Sequence, residues 1–390
     1  MRFSDFVTLQ RGFDLTKSDM CNGPYPVIGS TSIIGYHQEF KVEPPGVTTG
    51  RSGSLGIVQY VAERFWPHNT SLWVKDFKGN DPKFVYYCMQ GVDFARFNAG
   101  AGVPTLNRNH LDTLEVQVPP LHMQQRIAGI LSTYDELIEN SQRRIKVLEA
   151  IARGLYREWF VHFRFPGHEN HPRVASALGE IPEGWEVQKL GQVATVLRGR
   201  SYRSVDLAVE GGLPFLNLKC LDRDGGFRRS GLKRYVGEYK DSHIARKGDI
   251  VMAVTDMTQE RRIVARAALV PTLASDFSIF SMDLVKIEPK ADMPKTFLYS
   301  FLRFSSFADE VKQHANGANV LHLSPDRISE YQFAVPPTGV VSKFAEFASP
   351  VIEQMNALEN RIGNLRHTRD LLLPRLLSGQ ISVDPKEVIT

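Results

Sequence analysis

"VQVPPLHMQQRIAGIL" (Val116–Leu131) and "FAVPPTGVVSKFAEFA" (Phe333–Ala348) share one skeleton: an apolar strand-like run, a Pro-Pro pair, then amphipathic sequence. A proline pair fits the start of a helix, where the first backbone N–H groups lack intrahelical partners anyway. Laying Pro119 over Pro336 sets an offset of 217, which can be tested on either side. Upstream it aligns "NAGAGVPTLNRNHLDTLEVQVPP" with "HANGANVLHLSPDRISEYQFAVPP" and pairs Gly100 with Gly317, Val103 with Val320, Leu106 with Leu323, Leu111 with Ile328 and Val116 with Phe333.

Further upstream, "DPKFVYYCMQ" (Asp81–Gln90) resembles "MPKTFLYSFL" (Met293–Leu302), each opening with a proline suited to a first helical turn. Near the two starts, "TLQRGFDL" (Thr8–Leu15) resembles "TVLRGRSY" (Thr195–Tyr202), followed by "PYPVIG" and "LPFLNL". The chain therefore reads as two copies of one unit, a globular module and then a long helix, with the second module longer.

Behind the first gate, Ile127, Leu131, Tyr134, Ile138, Ser141, Ile145, Leu148, Ala152, Leu155 and Trp159 alternate steps of four and three, the seam of a coiled coil. From Leu121 to Val161 the helix would span roughly 60 Å at 1.5 Å per residue and stop before Pro166. The same offset predicts a second seam of Phe344, Ala348, Val351, Met355, Leu358, Ile362, Leu365, Arg369, Leu372 and Leu376, apolar except at Arg369. Pro350 and Pro374 fall inside this helix, so a kink or restart near Ser349 and a loosened last turn are expected. A stripe this long exceeds what one module covers, and the nearest complementary stripe lies on the other repeat. The expectation is an antiparallel intramolecular coiled coil.

The modules read as mixed α/β. "GVTTGRSGSLGIVQYV" (Gly46–Val61) and "GDIVMAVTD" (Gly248–Asp256) have the pattern of strands with glycine-rich turns. "RFPGHENHPRVASALGEIPEGW" (Arg164–Trp185) reads as a connection rich in Pro, Gly and His. The fold class is α+β, with a first module at 1–120, a helix at 121–165, a linker at 166–184, a second module at 185–337, a second helix at 338–380 and a tail at 381–390.

Composition narrows the function. Of the 390 residues, 42% are hydrophobic and 23% charged, which excludes a disordered chain. No run approaches a membrane span, and the first residues carry a charge where a secretion signal would be apolar, so a cytoplasmic protein without membrane contact is expected. Cys21, Cys88 and Cys220 are too far apart for a disulfide framework or a CxxC metal site and read as reduced, packed thiols. The net charge is only +4, but basic residues gather in "RGRSYR" (Arg198–Arg203), "DRDGGFRRSGLKRY" (Asp222–Tyr235) and "QERRIVAR" (Gln259–Arg266), a pattern suited to a polyanion.

No catalytic constellation is visible. "NGPYP" (Asn22–Pro26) is similar to a base-holding methyltransferase loop, but Gly23 takes the place of its first proline and no S-adenosylmethionine strand accompanies it. "GRSGSLG" (Gly50–Gly56) lacks the GxGxxG spacing. Pro289 sits inside the nuclease-like set of Asp276, Glu288 and Lys290, and His168 and His171 have no partner ligands, so no metal is expected.

Together the Pro-Pro gates, the "IPEGWEVQKLGQVATVLRG" opening (Ile181–Gly199) and the "LPRLLSGQI" ending (Leu373–Ile381) resemble the specificity (S) subunit of type I restriction-modification systems over nearly the whole chain. That resemblance implies a non-catalytic, double-stranded-DNA-binding subunit with two target recognition domains, each reading half of a split asymmetric site, and a coiled coil that sets the gap. It implies two modification subunits as partners, which carry S-adenosylmethionine and methylate adenine, with no cofactor in this chain and restriction subunits as further partners. A helical turn of B-DNA is about 34 Å, so a rod of the expected length could place two modules on one face of a duplex. The candidate DNA-binding residues are Arg51, Ser52, Asn107 and Arg108 in the first module and Arg200, Arg203, Arg228, Arg229, Thr255, Arg261 and Arg262 in the second. In the second copy "LHMQQRI" becomes "TGVVSKF"; the lost glutamines suggest unequal docking of the two partners. The competing readings are a methyltransferase or nuclease with drifted motifs, and a scaffold that does not bind DNA.

Overall fold

The computed structural model describes residues 1–100, 102–290 and 293–383. The chain divides into two compact units, one of residues 1–139 and 364–390, the other of residues 140–363. The part of the expected tail at 384–390 lies outside the described residues.

In the first unit, helix α1 (Phe3–Phe6) leads into a four-stranded antiparallel sheet ordered β1 (Thr8–Arg11), β7 (Ser71–Asp76), β4 (Gly46–Gly50), β5 (Val58–Val61). A smaller sheet is ordered β3 (Ile33–His37), β2 (Tyr25–Ile28), β6 (Trp66–Pro67), with the last pair parallel. Helix α2 (Pro82–Gln90) follows, capped by Asp81, whose carboxylate accepts from the Phe84 N–H at 2.8 Å. The long helix α3 (Leu121–Tyr156) begins directly after the first Pro-Pro pair, and its 36 residues continue into a π-helical turn at Arg157–Val161.

The second unit repeats the plan. Helix α4 (Leu190–Val193) leads into an antiparallel sheet ordered β11 (Ala194–Arg198), β20 (Leu284–Pro289), β16 (Ile250–Ala253), β18 (Ala267–Leu269). The smaller sheet gains an outer strand on each side and is ordered β12 (Leu207–Ala208), β14 (Lys233–Tyr235), β13 (Leu213–Leu216), β19 (Phe277–Phe280), β15 (Ile244–Arg246). Its β13–β19 pair is parallel, as β2–β6 is. Strand β17 (Thr255–Asp256) pairs with β21 (Leu321–His322), and β10 (Glu186–Lys189) with β22 (Gln332–Val335), which delivers the chain to the second gate. Helices α5 (Lys295–Phe304), α6 (Phe307–Val311) and α7 (Pro325–Ser329) precede the 40-residue helix α8 (Thr338–Leu377).

The shared backbone explains the shared glycines. A Cβ on Gly12 would lie 2.1 Å from the His68 carbonyl oxygen, and one on Gly199 2.1 Å from that of Ser281. Gly100 and Gly317 meet the carbonyls of Val103 and Val320 at 2.0 and 1.9 Å in the same way. Only glycine permits these approaches.

The ten seam positions expected on α3 and the ten on α8 are all buried or half-buried, including Ser141, which is 3% exposed. Within the first unit, Ile127 and Leu131 share a core with Leu376, while Asp135 meets Arg369. Within the second, the rings of Tyr156 and Phe344 lie 6.3 Å apart, and Ile145 and Met355 border one small cavity. In each unit rising numbers on one helix meet falling numbers on the other, so the segments are antiparallel. The segments of the second unit are clamped by Tyr156, Trp159, Phe160, Phe297 and Phe344, joined edge to face at centroid distances of 4.8 to 6.3 Å.

Three expectations change. Helix α8 runs through Pro350 and Pro374 without a restart; both prolines lie on its exposed face, where water can take up the carbonyls they leave unbonded. Residues 166–184, read as a linker, contain a hairpin of β8 (Arg173–Ser176) and β9 (Gly179–Pro182). Cys21 is exposed, whereas Cys88 and Cys220 are packed.

Phe344 is fully buried in the aromatic clamp. We predict that Phe344→Ala costs roughly 3–5 kcal/mol of stability. Chemical denaturation reads this out; an unchanged midpoint would mean that the clamp contributes nothing.

Candidate nucleic-acid interface

The two modules build the same structure just past the ends of β4 and β16. In the first, the chain after β4 lies against the segment preceding the gate: Ser52 pairs with Thr105, the Leu106 N–H donates to the Arg51 carbonyl at 2.8 Å, and the Gly53 N–H donates to the Pro104 carbonyl at 2.9 Å. In the second, Thr255 pairs with His322, and the Leu323 N–H donates to the Val254 carbonyl at 2.7 Å. Arg51 and Ser52 thus correspond to Val254 and Thr255. The repeat brings together loops that are more than fifty residues apart in sequence, and the tips differ in chemistry.

In the first module the Ser30 hydroxyl donates to the carbonyls of Ser52 at 2.7 Å and Thr70 at 2.9 Å, which adds the β2–β3 turn to the same surface. Arg51, half-buried, reaches the Asn69 carbonyl at 3.4 Å. The Asn107 carboxamide caps a short turn by accepting from the Asn109 N–H at 3.1 Å, and Arg108 donates to the Leu9 carbonyl at 3.2 Å, though both side chains remain largely exposed. Ser30, Asn69 and Thr70 were not legible as site residues, because the contacts that place them come from the fold and carry no sequence spacing.

In the second module Thr255 is 2% exposed and its hydroxyl donates to Asp283 at 3.2 Å. Its neighbour Asp256 accepts from the Thr258 N–H and hydroxyl at 2.8 and 2.9 Å and from the Ile263 N–H at 3.1 Å. This buried carboxylate folds the 257–262 loop, which carries Arg261 and exposed Arg262; Arg261 adopts φ +54° and donates to Gln313 at 3.2 Å. Thr255 is therefore a support for the loop and does not itself face solvent. Arg200 pairs with Ser281 beside β19, and His243 is held below its ordinary pKa by burial, then by Arg200 and Lys240, which marks a locally positive face. Arg203 and Arg228 are exposed, and Arg228 donates to the Lys219 carbonyl at 3.0 Å. Arg229 is not on this face. It is half-buried and bonded to Asn360 of α8 and to the Thr272 carbonyl at 2.8 Å.

One of the two glutamines expected to matter for docking has an internal role. Gln124 is 3% exposed; its carbonyl accepts from the Asp81 N–H at 2.9 Å, and its amide donates to Asn80 and the Pro119 carbonyl at 2.8 and 2.9 Å. It ties the start of α3 to that of α2. The corresponding Val341 is buried in the same core as Met293, so an apolar contact replaces the polar one and the loss of this glutamine says nothing of docking.

Among the described residues no group of three or more His, Cys, Asp or Glu side chains could hold a metal ion, and no helix is long and apolar enough to cross a membrane. Of the nuclease-like set, Glu288 pairs with Lys286 at 2.7 Å and Lys290 donates to the Gly191 carbonyl at 2.6 Å.

Two mixed modules of one plan, each sharing a core with segments of both long helices, define a duplicated, helix-linked protein. The family described as "Type I restriction modification DNA specificity domain" matches residues 1–150 and 182–365, and the chain belongs to it. It is 26% identical over 316 residues to the type I restriction enzyme MjaIX specificity subunit of Methanocaldococcus jannaschii, covering 77% of this chain and 69% of that one. It is 20% identical to the putative type I restriction enzyme specificity subunit S.HindORF215P of Haemophilus influenzae, over 90% of this chain and 88% of that one. The crystal structure of the type I restriction-modification system S subunit from M. genitalium superposes with a TM-score of 0.61 at 17% identity, covering 97% of this chain and 95% of that one, which establishes the shared fold.

Replacing exposed Arg203, Arg228 or Arg262 with Ala is predicted to weaken DNA binding and to lower the salt dependence of log K by about 0.9 for each phosphate contact removed. Titrations at several salt concentrations decide this. A slope that stays at the wild-type value in all three variants would place the DNA elsewhere.

Proposed function

We propose that this chain is the DNA sequence-recognition subunit of a type I restriction-modification complex, with each module reading one half of a bipartite, asymmetric site. The observation that carries this reading is one backbone plan built twice with different tips. Arg51 and Ser52 stand where Val254 and Thr255 stand in the second copy, and only the second copy extends the adjoining loop with Arg261 and Arg262. Equal frames with unequal tips suit two half-sites of different sequence. Arginine can grip guanine O6 and N7 with both arms, and asparagine adenine N6 and N7, while the remaining basic residues hold phosphates.

The paired helices α3 and α8 set the gap between half-sites and offer their outer faces to two modification subunits. The chemistry belongs to those partners: they carry S-adenosylmethionine and methylate adenine, while this subunit is non-catalytic and holds no cofactor. Restriction subunits join the same complex, which works on DNA in the cytoplasm.

Each unit is fastened to segments of both helices, so shortening one helix alone would set its seam against its partner's. Removing one heptad from α3 between Glu136 and Arg144 together with one from α8 between Asn360 and Thr368 keeps both seams in register. Genome-wide mapping of methylated adenines, with the modification partner coexpressed, is predicted to show a changed gap and unchanged half-sites. Changed half-sites with the original gap would contradict the division of labour.

A further inference from the structure

The second module is fastened to the helices in two different ways. At one end the contact is aromatic, through Tyr156, Trp159 and Phe160 of the first helical stretch and Phe297 and Phe344. Alongside α3 there is instead a cavity of about 900 Å³ between the helix and the module, bordered by Gln142, Lys146, Arg153 and Asp222. Apolar packing cannot fix the module across this open space. Polar groups close it.

Arg303, in the last turn of α5, has a side chain only 7% exposed; it donates to Glu149 of α3 and, at 2.9 Å, to the Asp224 carbonyl. Gly225, at φ +84°, leaves the room this requires, since a Cβ there would stand 1.9 Å from the guanidinium. A few residues on, Arg229 donates to Asn360 of α8 and to the Thr272 carbonyl. One loop, Asp222–Gly231, is therefore latched to both helices by two arginines. A guanidinium with fixed donor directions sets an orientation that apolar contact leaves loose.

We infer that Glu149–Arg303 and Asn360–Arg229 are positioning contacts that set the tilt of the second reading face and so restrict the complex to one gap length. The inference rests on the proposed reading of split DNA sites. With the latch broken and the aromatic clamp intact, the module pivots; one base pair is about 3.4 Å of helix axis, so a small pivot is enough to admit a neighbouring gap.

The test is methylation mapping with the full chain and its modification partner, comparing wild type, Glu149→Leu/Arg229→Met, Glu149→Gln and the core control Ile328→Ala. The double variant is expected to keep both half-sites and to methylate sites whose gap is longer or shorter by about one base pair. Glu149→Gln, which keeps an acceptor for Arg303, is expected to hold the single gap. A double variant that methylates only the original gap, more weakly and in step with Ile328→Ala, would reduce the latch to ordinary stability and overturn the inference. If its melting transition shows that the double variant does not fold, Glu149→Leu and Arg229→Met separately carry the same test with the same two outcomes. A wild-type map without any split motif would instead overturn the function on which the inference rests.

Discussion

The structure depends on one constraint: the apolar stripes that follow the two Pro-Pro gates cannot remain in water. Each helix presents ten seam positions, and each half of one helix meets the opposite half of the other inside a compact unit. Burying aliphatic and aromatic side chains contributes on the order of 1.5–3 kcal/mol for each large one, more than any surface ion pair here can offer. The modules then follow their helices. Leu111, Val116 and Leu376 lie in one core, and Phe333, Phe344 and Ala348 in another, so the core of each module and that of its helical segments are continuous.

Apolar burial leaves register loose, and the polar exceptions on the seam remove that freedom. Arg369 holds Asp135 at 2.5 Å, and the same carboxylate accepts from the Tyr87 hydroxyl at 2.6 Å. Burial first, and then that bond, push the Tyr87 phenol well above its ordinary pKa, so it stays a donor across the working pH range. The repeat-equivalent positions, Ala152 and Ile352, are apolar and packed. A half-buried ion pair at one level of a mostly apolar seam disfavours slipped pairings, because slippage would set each charge against apolar neighbours without its partner. Two copies of one plan are thus made unequal by a few residues: Asp135 and Arg369 against Ile352 and Ala152, and Gln124 against Val341.

Periodicity made the helices, their seams and the repeat legible, because a long stripe repeats one physical requirement many times. The strand pairing at Ser52 and Thr255 was less visible, since it rests on hydrogen bonds between segments more than fifty residues apart. The candidate site was legible by residue type but not by role. A basic residue in a loop reads alike whether it faces solvent, as Arg262 does, or latches a helix, as Arg229 does. Thr255 read as polar and available, yet it supports the loop from beneath. Gln124 read as a surface motif because an amphipathic pattern does not reveal that a buried glutamine can satisfy a helix start.

The claim that the seams pair antiparallel in one fixed register is tested most directly by a double-mutant cycle at Asp135 and Arg369, measured by reversible denaturation of the full chain. The account predicts that Asp135→Asn and Arg369→Met each destabilise the first unit and that the double variant falls short of their sum by roughly 1 kcal/mol or more, the coupling expected of partners in direct contact. Strict additivity would mean that the two side chains do not meet in solution, and the antiparallel register would have to be abandoned.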